Sequence, residues 1–231
     1  IDFTKNNTNL TLNLCNIIRS TKRNIPLIFA SSIQAEQNNL YGVSKQAAEN
    51  IIENYVTETN NSAIIYRLPG VFGKWCKPNY NSVVATFCYN IARGKPIEIN
   101  HHNKKIHLVY IDDVIDSFIK TLKKPVVGFL HKNVKPEYKI TLEKLVNEIT
   151  LFKNSRSSLI SERVGLGITR ALYSTYISYL PIKNFIYDLT EHRDKRGSFA
   201  EILKTKDSGK FSFFTILPSK TRGSHSHNRK T

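Results

Sequence analysis

The chain has 231 residues, 40% of them hydrophobic, enough for one large domain or one and a half ordinary ones built on a substantial core. No apolar run approaches the length of a membrane span, and the first residues, broken by Asp2, Lys5 and several Asn, do not resemble a signal peptide, so a soluble protein is expected. The net charge of +16 invites nucleic acid as a partner, but the 34 Lys and Arg are spread along the chain, and a solvated basic surface suits a small anionic substrate better.

The three cysteines, Cys15, Cys76 and Cys88, are odd in number and lack metal-ligand spacing, so free thiols in a reducing cytoplasm are expected. Methionine is absent throughout, and the chain opens on a polar segment running into a helix and closes just after a strand-like run. Both ends are expected to be cuts through domains.

In chain order, the apolar positions Leu12, Leu14, Cys15, Ile17 and Ile18 predict a helix over 10–19, and PLIFASS then reads as a buried parallel strand. The next helix starts at Tyr41 and has an apolar face of Val43, Ala47, Ala48, Ile51, Ile52 and Tyr55. SAIIYRLPGVFG supplies another buried strand, and strand, helix and strand in this rhythm predict a doubly wound α/β sheet. A loop, KWCKPNYNS, leads to a helix over 83–92. HLVYIDDVIDSFIKTL is a strand running into a helix that Asp112 or Asp113 is expected to cap, and a further helix covers 141–150. After Pro181 the pattern alternates as strands do, with turns at 194–197 and 207–209, which puts a boundary near residue 183 between an α/β part and the opening of an all-β part.

Tyr41 and Lys45 lie four apart at the start of a helix. That spacing alone says little in a lysine-rich chain with 11 tyrosines; Tyr179 and Lys183 repeat it, but Pro181 between them breaks the helical turn. The surroundings of the first pair carry more weight. Ligands of doubly wound sheets sit at the carboxyl ends of the strands, where Ser31 and Ser32 end PLIFASS and Tyr41 opens the next helix. A phenol with its ordinary pKa of about 10 is a poor acid or base near neutrality. A lysine ammonium one turn along favours the phenolate, and a serine hydroxyl can orient both the phenol and a substrate carbonyl.

On Ser32, Tyr41 and Lys45, with RLPGVFG (67–73) and HLVYIDDV (107–114) in the matching order, the sequence resembles the extended short-chain dehydrogenase/reductase superfamily. FASSIQAEQNNLYGVSK, GKWCKPNYNSVVATFCYNIA and DKRGSFAEIL followed by TRGSHSH narrow this to a likeness with the bifunctional capsular-polysaccharide reductases of UDP-2-acetamido-2,6-dideoxy-hexos-4-ulose. In that family an NADPH-dependent reductase domain precedes a zinc cupin that epimerises the sugar. The resemblance implies catalysis by Ser32, Tyr41 and Lys45. Cofactor contacts are implied from Ser31, Tyr41, Lys45, Pro69, Gly70 and Val71, and contacts to a UDP-sugar from Asn79, Tyr80, Asn81 and Ser82. Many relatives have Asn at the position of Gly70. Dehydratases of the superfamily have an Asp-Glu pair after the catalytic hydroxyl residue; Ile33 and Gln34 stand there instead, and a glutamine cannot exchange a proton, so ketone reduction is favoured over elimination.

A nucleotide-binding sheet needs a glycine-rich first turn, and neither GVFG nor GLGITR supplies one. The expectation is an internal fragment lacking the glycine-rich half of its cofactor domain, with NADPH binding weak or lost. His225 and His227, two apart on a strand, would present two imidazoles to one metal, and the likeness to a cupin makes them zinc ligands of an incomplete site. A partial Rossmann-like sheet is expected over 1–183, followed by the first strands of a cupin over 184–231. It is read as part of a cytoplasmic nucleotide-sugar reductase of capsular or O-antigen polysaccharide synthesis, homodimeric when complete, without nucleic-acid or membrane partners. A nucleotide-sugar 4-epimerase and a non-catalytic cupin-linked binding protein are the alternatives.

Overall fold

A computed structural model describes residues 2–124, 127–221 and 223. A π-type turn, Thr4–Asn9, runs into α1 (Leu10–Ser20), followed by β1 (Leu27–Ser32), a 3₁₀ turn (Ile33–Glu36), α2 (Leu40–Thr59), β2 (Ala63–Leu68) and β3 (Gly70–Phe72). Then come α3 (Val83–Ala92), β4 (Lys105–Tyr110), α4 (Ile111–Lys123), β5 (Phe129–Lys132), β6 (Tyr138–Thr141), α5 (Leu142–Ser158) and β7 (Ile160–Ser161). The last elements are α6 (Gly167–Ile177), a 3₁₀ turn (Ile182–Asn184), β8 (Glu191–Asp194), β9 (Gly197–Thr205) and β10 (Lys210–Phe214). No helix among the described residues is long and apolar enough to cross a membrane. The chain divides into two units, Ile1–Cys76 with His101–Leu142, and Lys77–Asn100 with Glu143–Thr231.

The first unit is built on a parallel sheet of order β1-β2-β5, with Leu27 opposite Ala63 and Ala63 opposite Phe129. Its central strand, AIIYRL, is apolar on both faces because helices cover both. Ala63 and Ile65 pack on one face with Cys15, Ile18, Ile52, Tyr55 and Val56 from α1 and α2. Ile64, Tyr66 and Leu68 pack on the other with Val109, Val114 and Val134, and Phe118 of α4 joins them. The Tyr66 hydroxyl is satisfied there by Thr121 Oγ1 at 2.6 Å. Each fully buried Ile or Leu contributes about 1.5–3 kcal/mol, so the two clusters are the main stabilising term of this unit.

Three expectations change. SAIIYRLPGVFG is two strands, because Pro69 has no amide hydrogen to continue the ladder: β2 stays in the parallel sheet, and β3 joins a second sheet of order β3-β4-β6. Asp112 and Asp113 do not cap α4; its N-cap is Tyr110, without a side-chain bond, and the two carboxylates sit in the first turn, where they still suit the positive end of the helix. On α1 only Cys15 and Ile18 of the expected apolar set are buried, whereas Leu12, Leu14 and Ile17 are 45%, 49% and 63% exposed. The α2 face shifts likewise, with Val43 exposed and Val56 buried.

The second unit packs α3 against α6. Leu145, Ile149 and Phe152 form the buried face of α5, with the Phe152 ring 5.3 Å from Tyr173 and 6.0 Å from Tyr176. Burial raises the Tyr176 hydroxyl pKa to about 12. Strand β9 centres a sheet in which β10 and β8 run antiparallel to it and the short β7 runs parallel. The β8–β9 turn needs Gly197, whose φ is +139° and whose place leaves no room for a Cβ: one would lie 2.2 Å from the carbonyl oxygen of Thr215.

Two features fix the start of α2. Asn39 caps it, its Oδ1 accepting the Gly42 amide hydrogen at 2.8 Å. Gly42 lets the first turn of α2 press on the preceding segment, since a Cβ would lie 2.2 Å from the Gln34 carbonyl oxygen and 2.5 Å from that of Gln37. One helix turn beyond Lys45, Glu49 is 1% exposed. Arg67 of β2 donates from Nη2 to its Oε2 at 2.7 Å and from Nε to both oxygens at 3.1 and 3.2 Å. The Ser31 hydroxyl of β1 donates to it as well, and His131 Nε2 of β5 lies 3.3 Å away. Burial pushes the Glu49 carboxyl up, but the hydrogen bonds from Arg67, Ser31 and His131 outweigh it and hold the group below the usual carboxylate range.

Two stability tests follow from this packing. Gly42→Ala should cost about 1–3 kcal/mol by overpacking in urea unfolding, whereas Gly165→Ala, whose Cβ would meet nothing within 4 Å, should be close to neutral. Glu49 has a depressed pKa when folded, so its contribution is complete above the unfolded carboxylate value of about 4.3 and is lost as pH falls through the folded value. Glu49→Gln should therefore cost about 3–5 kcal/mol at pH 7, and its urea midpoint should depend less on pH below about 4 than that of the parent.

Candidate active site

The candidate site lies at the carboxyl end of β1 in the first unit. Ser32 ends the strand in extended conformation, φ −138° and ψ 147°, and its Oγ accepts the Gln34 amide hydrogen at 3.2 Å, so the 3₁₀ turn holds the hydroxyl in place. The backbone of Gln34 thus serves both residues: its amide N–H anchors Ser32, and its carbonyl lies against Gly42, beside Tyr41.

Tyr41 is half-buried in the first turn of α2, with the Phe3 ring edge-on at 5.4 Å between centroids. Lys45, one turn on, is also half-buried. Its Nζ donates to the Ala30 carbonyl oxygen at 3.2 Å and lies 5.0 Å from the Phe29 ring centre and 5.9 Å from that of Tyr41. Burial makes Lys45 release its proton more readily than a free lysine, with the Glu49 charge opposing this. The structure therefore brings Ser32, Tyr41 and Lys45 to one strand end. The Lys45 cation is fixed by backbone and rings, with one of its three hydrogens on Ala30.

The other expected contacts are distributed. Ser31 is buried, and its hydroxyl is directed inward to Glu49. Pro69 follows β2, and Gly70 and Val71 begin β3, both exposed. In the second unit Ser82 caps α3, its Oγ accepting the Ala85 amide hydrogen at 3.3 Å, so its hydroxyl has a structural task. Asn79, Tyr80 and Asn81 are exposed; Asn79 has φ 54° and its amide donates to Thr86 Oγ1 at 2.9 Å, and Lys77 Nζ lies 5.5 Å over the Tyr80 ring. Within the first unit, Trp75 is 81% exposed, with φ 62°. Left-handed backbone at residues other than glycine is a cost that tends to persist at binding loops. His225 and His227 lie outside the described residues, among which no cluster of three or more His, Cys, Asp or Glu could hold a metal ion. Cys15, Cys76 and Cys88 are free thiols, the first and last of them buried.

Sequence reasoning missed Glu49, Arg67 and His131. The available signal was a charge in each of two apolar runs: Glu49 between Ala48 and Ile51 on a helix face, and Arg67 inside a buried strand. Buried charges come in pairs.

Residues 192–231 match the polysaccharide biosynthesis C-terminal domain. Over 230 residues the chain is 50% identical to a UDP-2-acetamido-2,6-beta-L-arabino-hexul-4-ose reductase of Pseudomonas aeruginosa, covering all of this chain and 62% of that protein. The crystal structure of the capsular polysaccharide assembling protein CapF from Staphylococcus aureus superposes with a TM-score of 0.83 at 39% identity, covering 87% of this chain and 55% of that one. A UDP-glucose 4-epimerase of Thermotoga maritima, at 17% identity and a TM-score of 0.65 over 79% of this chain and 71% of that one, shares the fold. The chain thus spans less than two thirds of the reductase and of CapF. Residues 1–134 of the 231 match the NAD dependent epimerase/dehydratase family, and the chain belongs to that family.

Proposed function

We propose that the chain is the site-bearing part of an NADPH-dependent reductase acting on the C4 ketone of a UDP-linked 6-deoxy-4-keto amino sugar in bacterial surface-polysaccharide synthesis. The observation that carries this is the Tyr41–Lys45 pair at the carboxyl end of β1, with Lys45 Nζ on the Ala30 carbonyl and 5.9 Å from the Tyr41 ring centre. Half the residues are identical to those of a named 4-ketose reductase, which supports the substrate class. Ile33 and Gln34 after Ser32 support reduction rather than loss of water.

The residues present fit the nicotinamide end of such a cofactor. The two hydrogens of Lys45 Nζ not used by Ala30 and the Tyr41 hydroxyl form a donor and acceptor set of the kind that a ribose diol needs. NADPH, when bound, supplies a hydride to the ketone carbon. Ser32 donates a hydrogen bond to the carbonyl and orients it. Tyr41 then gives its proton to the developing alkoxide, and Lys45 stabilises the negative charge left on the phenol oxygen. Ser31, by contrast, acts from within through Glu49. Pro69, Gly70 and Val71 are assigned to the cofactor side and Asn79, Tyr80, Asn81 and Ser82 to the UDP-sugar.

The reductase domain is assigned to 1–183 and the opening of a cupin to 184–231, a reading that the C-terminal family match supports. His225 and His227 are assigned as two zinc ligands there. The complete protein is read as a cytoplasmic homodimer. In the complete gene product, Tyr41→Phe should lower ketone-dependent NADPH oxidation by about 10²–10⁴-fold; retention of most of the turnover overturns the assignment. Net NADPH consumption matching product formed separates a reductase from a 4-epimerase, which returns its hydride and shows none.

A further inference from the structure

Glu49 holds a position that the reaction above does not use. Tyr41, Lys45 and Glu49 are spaced four apart on α2 and share one side of the helix. The carboxylate is buried and reaches three strands: Ser31 of β1, Arg67 of β2 and His131 of β5. Arg67 is itself anchored at its far end by Glu36 of the 3₁₀ turn, Nη1 to Oε1 at 2.6 Å, and that turn carries the Gln34 amide that fixes Ser32.

We propose that Glu49, clamped by Arg67, is a positioning residue for the Tyr41–Lys45 pair, supplying the counter-charge that keeps Lys45 a cation and anchoring the strand end that presents Ser32. The inference rests on the reading of Tyr41 and Lys45 given above. Among the described residues, few charged or titratable groups are tied to Lys45. Tyr41 and Glu49 face it from α2 itself; Arg67 of β2 and His131 of β5 act on it through Glu49, and Glu36 through Arg67. Strand β1 contributes a carbonyl oxygen and the Phe29 ring, with no ionisable group in LIFASS. Glu49 is thus the acidic group one turn from Lys45 on the same side of α2, acting on it across space without an ion-pair contact, and Arg67 keeps that carboxyl ionised inside the fold.

The test reads Lys45 without turnover. Acetic anhydride labelling across a pH series, with the Lys45 peptide quantified by mass spectrometry, gives the midpoint of its deprotonation, and exposed Lys22 serves as the internal standard. Cys15, buried in one cluster with Ile52 and Tyr55 of α2, reports intactness of this unit by staying unreactive to a thiol reagent. In Glu49→Gln the Lys45 midpoint should move down by about half a pH unit, about threefold faster labelling at pH 8, with Lys22 unchanged. Glu49→Asp, which keeps the charge, should restore most of the parent value. If Glu49→Gln exposes Cys15, the labelling is repeated in sucrose, an excluded osmolyte that favours the folded state, at a concentration that restores Cys15 protection. An unmoved Lys45 midpoint in Glu49→Gln with Cys15 protected makes Glu49 a structural residue only and overturns the inference. Because labelling needs no substrate, that outcome is separate from the reductase reading, which Tyr41→Phe decides.

Discussion

A carboxylate inside a protein must be paired or neutral, and Glu49 is paired with everything that approaches it. That constraint organises the first unit: β1, β2 and β5 each bring one group to the same carboxyl group, at the end of the sheet where the candidate catalytic residues stand. The sheet's ladders fix strand order and register, yet every hydrogen bond of a parallel ladder resembles the next. The charge cluster distinguishes one end of the sheet from the other. It places Arg67 opposite Ser31 in the β1–β2 register, one residue short of the strand end that carries Ser32.

The same end is tightened by close backbone approach. The absence of a Cβ at Gly42 lets α2 rest on the Gln34 and Gln37 carbonyls, and the Asn39 cap fixes where the helix begins. The start of α2, and with it Tyr41, is therefore held against the turn that follows Ser32 by a missing side chain at Gly42 and a side-chain cap from Asn39. Lys45 is held where its Nζ meets both the Phe29 ring and the Ala30 carbonyl. The geometry of the candidate site is a property of main chain and shape first, and of ionisable groups second.

How much of this was legible in the sequence depends on how local the cause was. The α3 limits agree with the expected 83–92 because the apolar period lies inside the segment and the capping Ser82 stands directly before it. The Asp194–Gly197 turn was legible for a similar reason, a glycine at the one position where φ is positive. The strand break at Pro69 was hidden by apolar residues on both sides, which read as one run although proline stops the ladder. Burial on α1 and α2 was legible only in part. Periodicity shows that a helix has an apolar side, but which of those residues are covered depends on neighbours distant in sequence, and Leu12, Leu14 and Ile17 stayed exposed. In the site, Ser32, Tyr41 and Lys45 were legible as a motif, whereas the Glu49–Arg67 pair joins a helix to a strand and is written in no single segment.

The sequence separations within that cluster also order its assembly. Ser31 and Arg67 each lie 18 residues from Glu49 along the chain, whereas His131 lies 82 away. Closing the two short loops costs little chain entropy, and closing the long one costs more. A chain leaving the ribosome carries Ser31, Glu49 and Arg67 in the solvent before β5 has been made, so the helix–strand clamp has its ion pair in hand early and β5 docks on an end of the sheet already marked by charge.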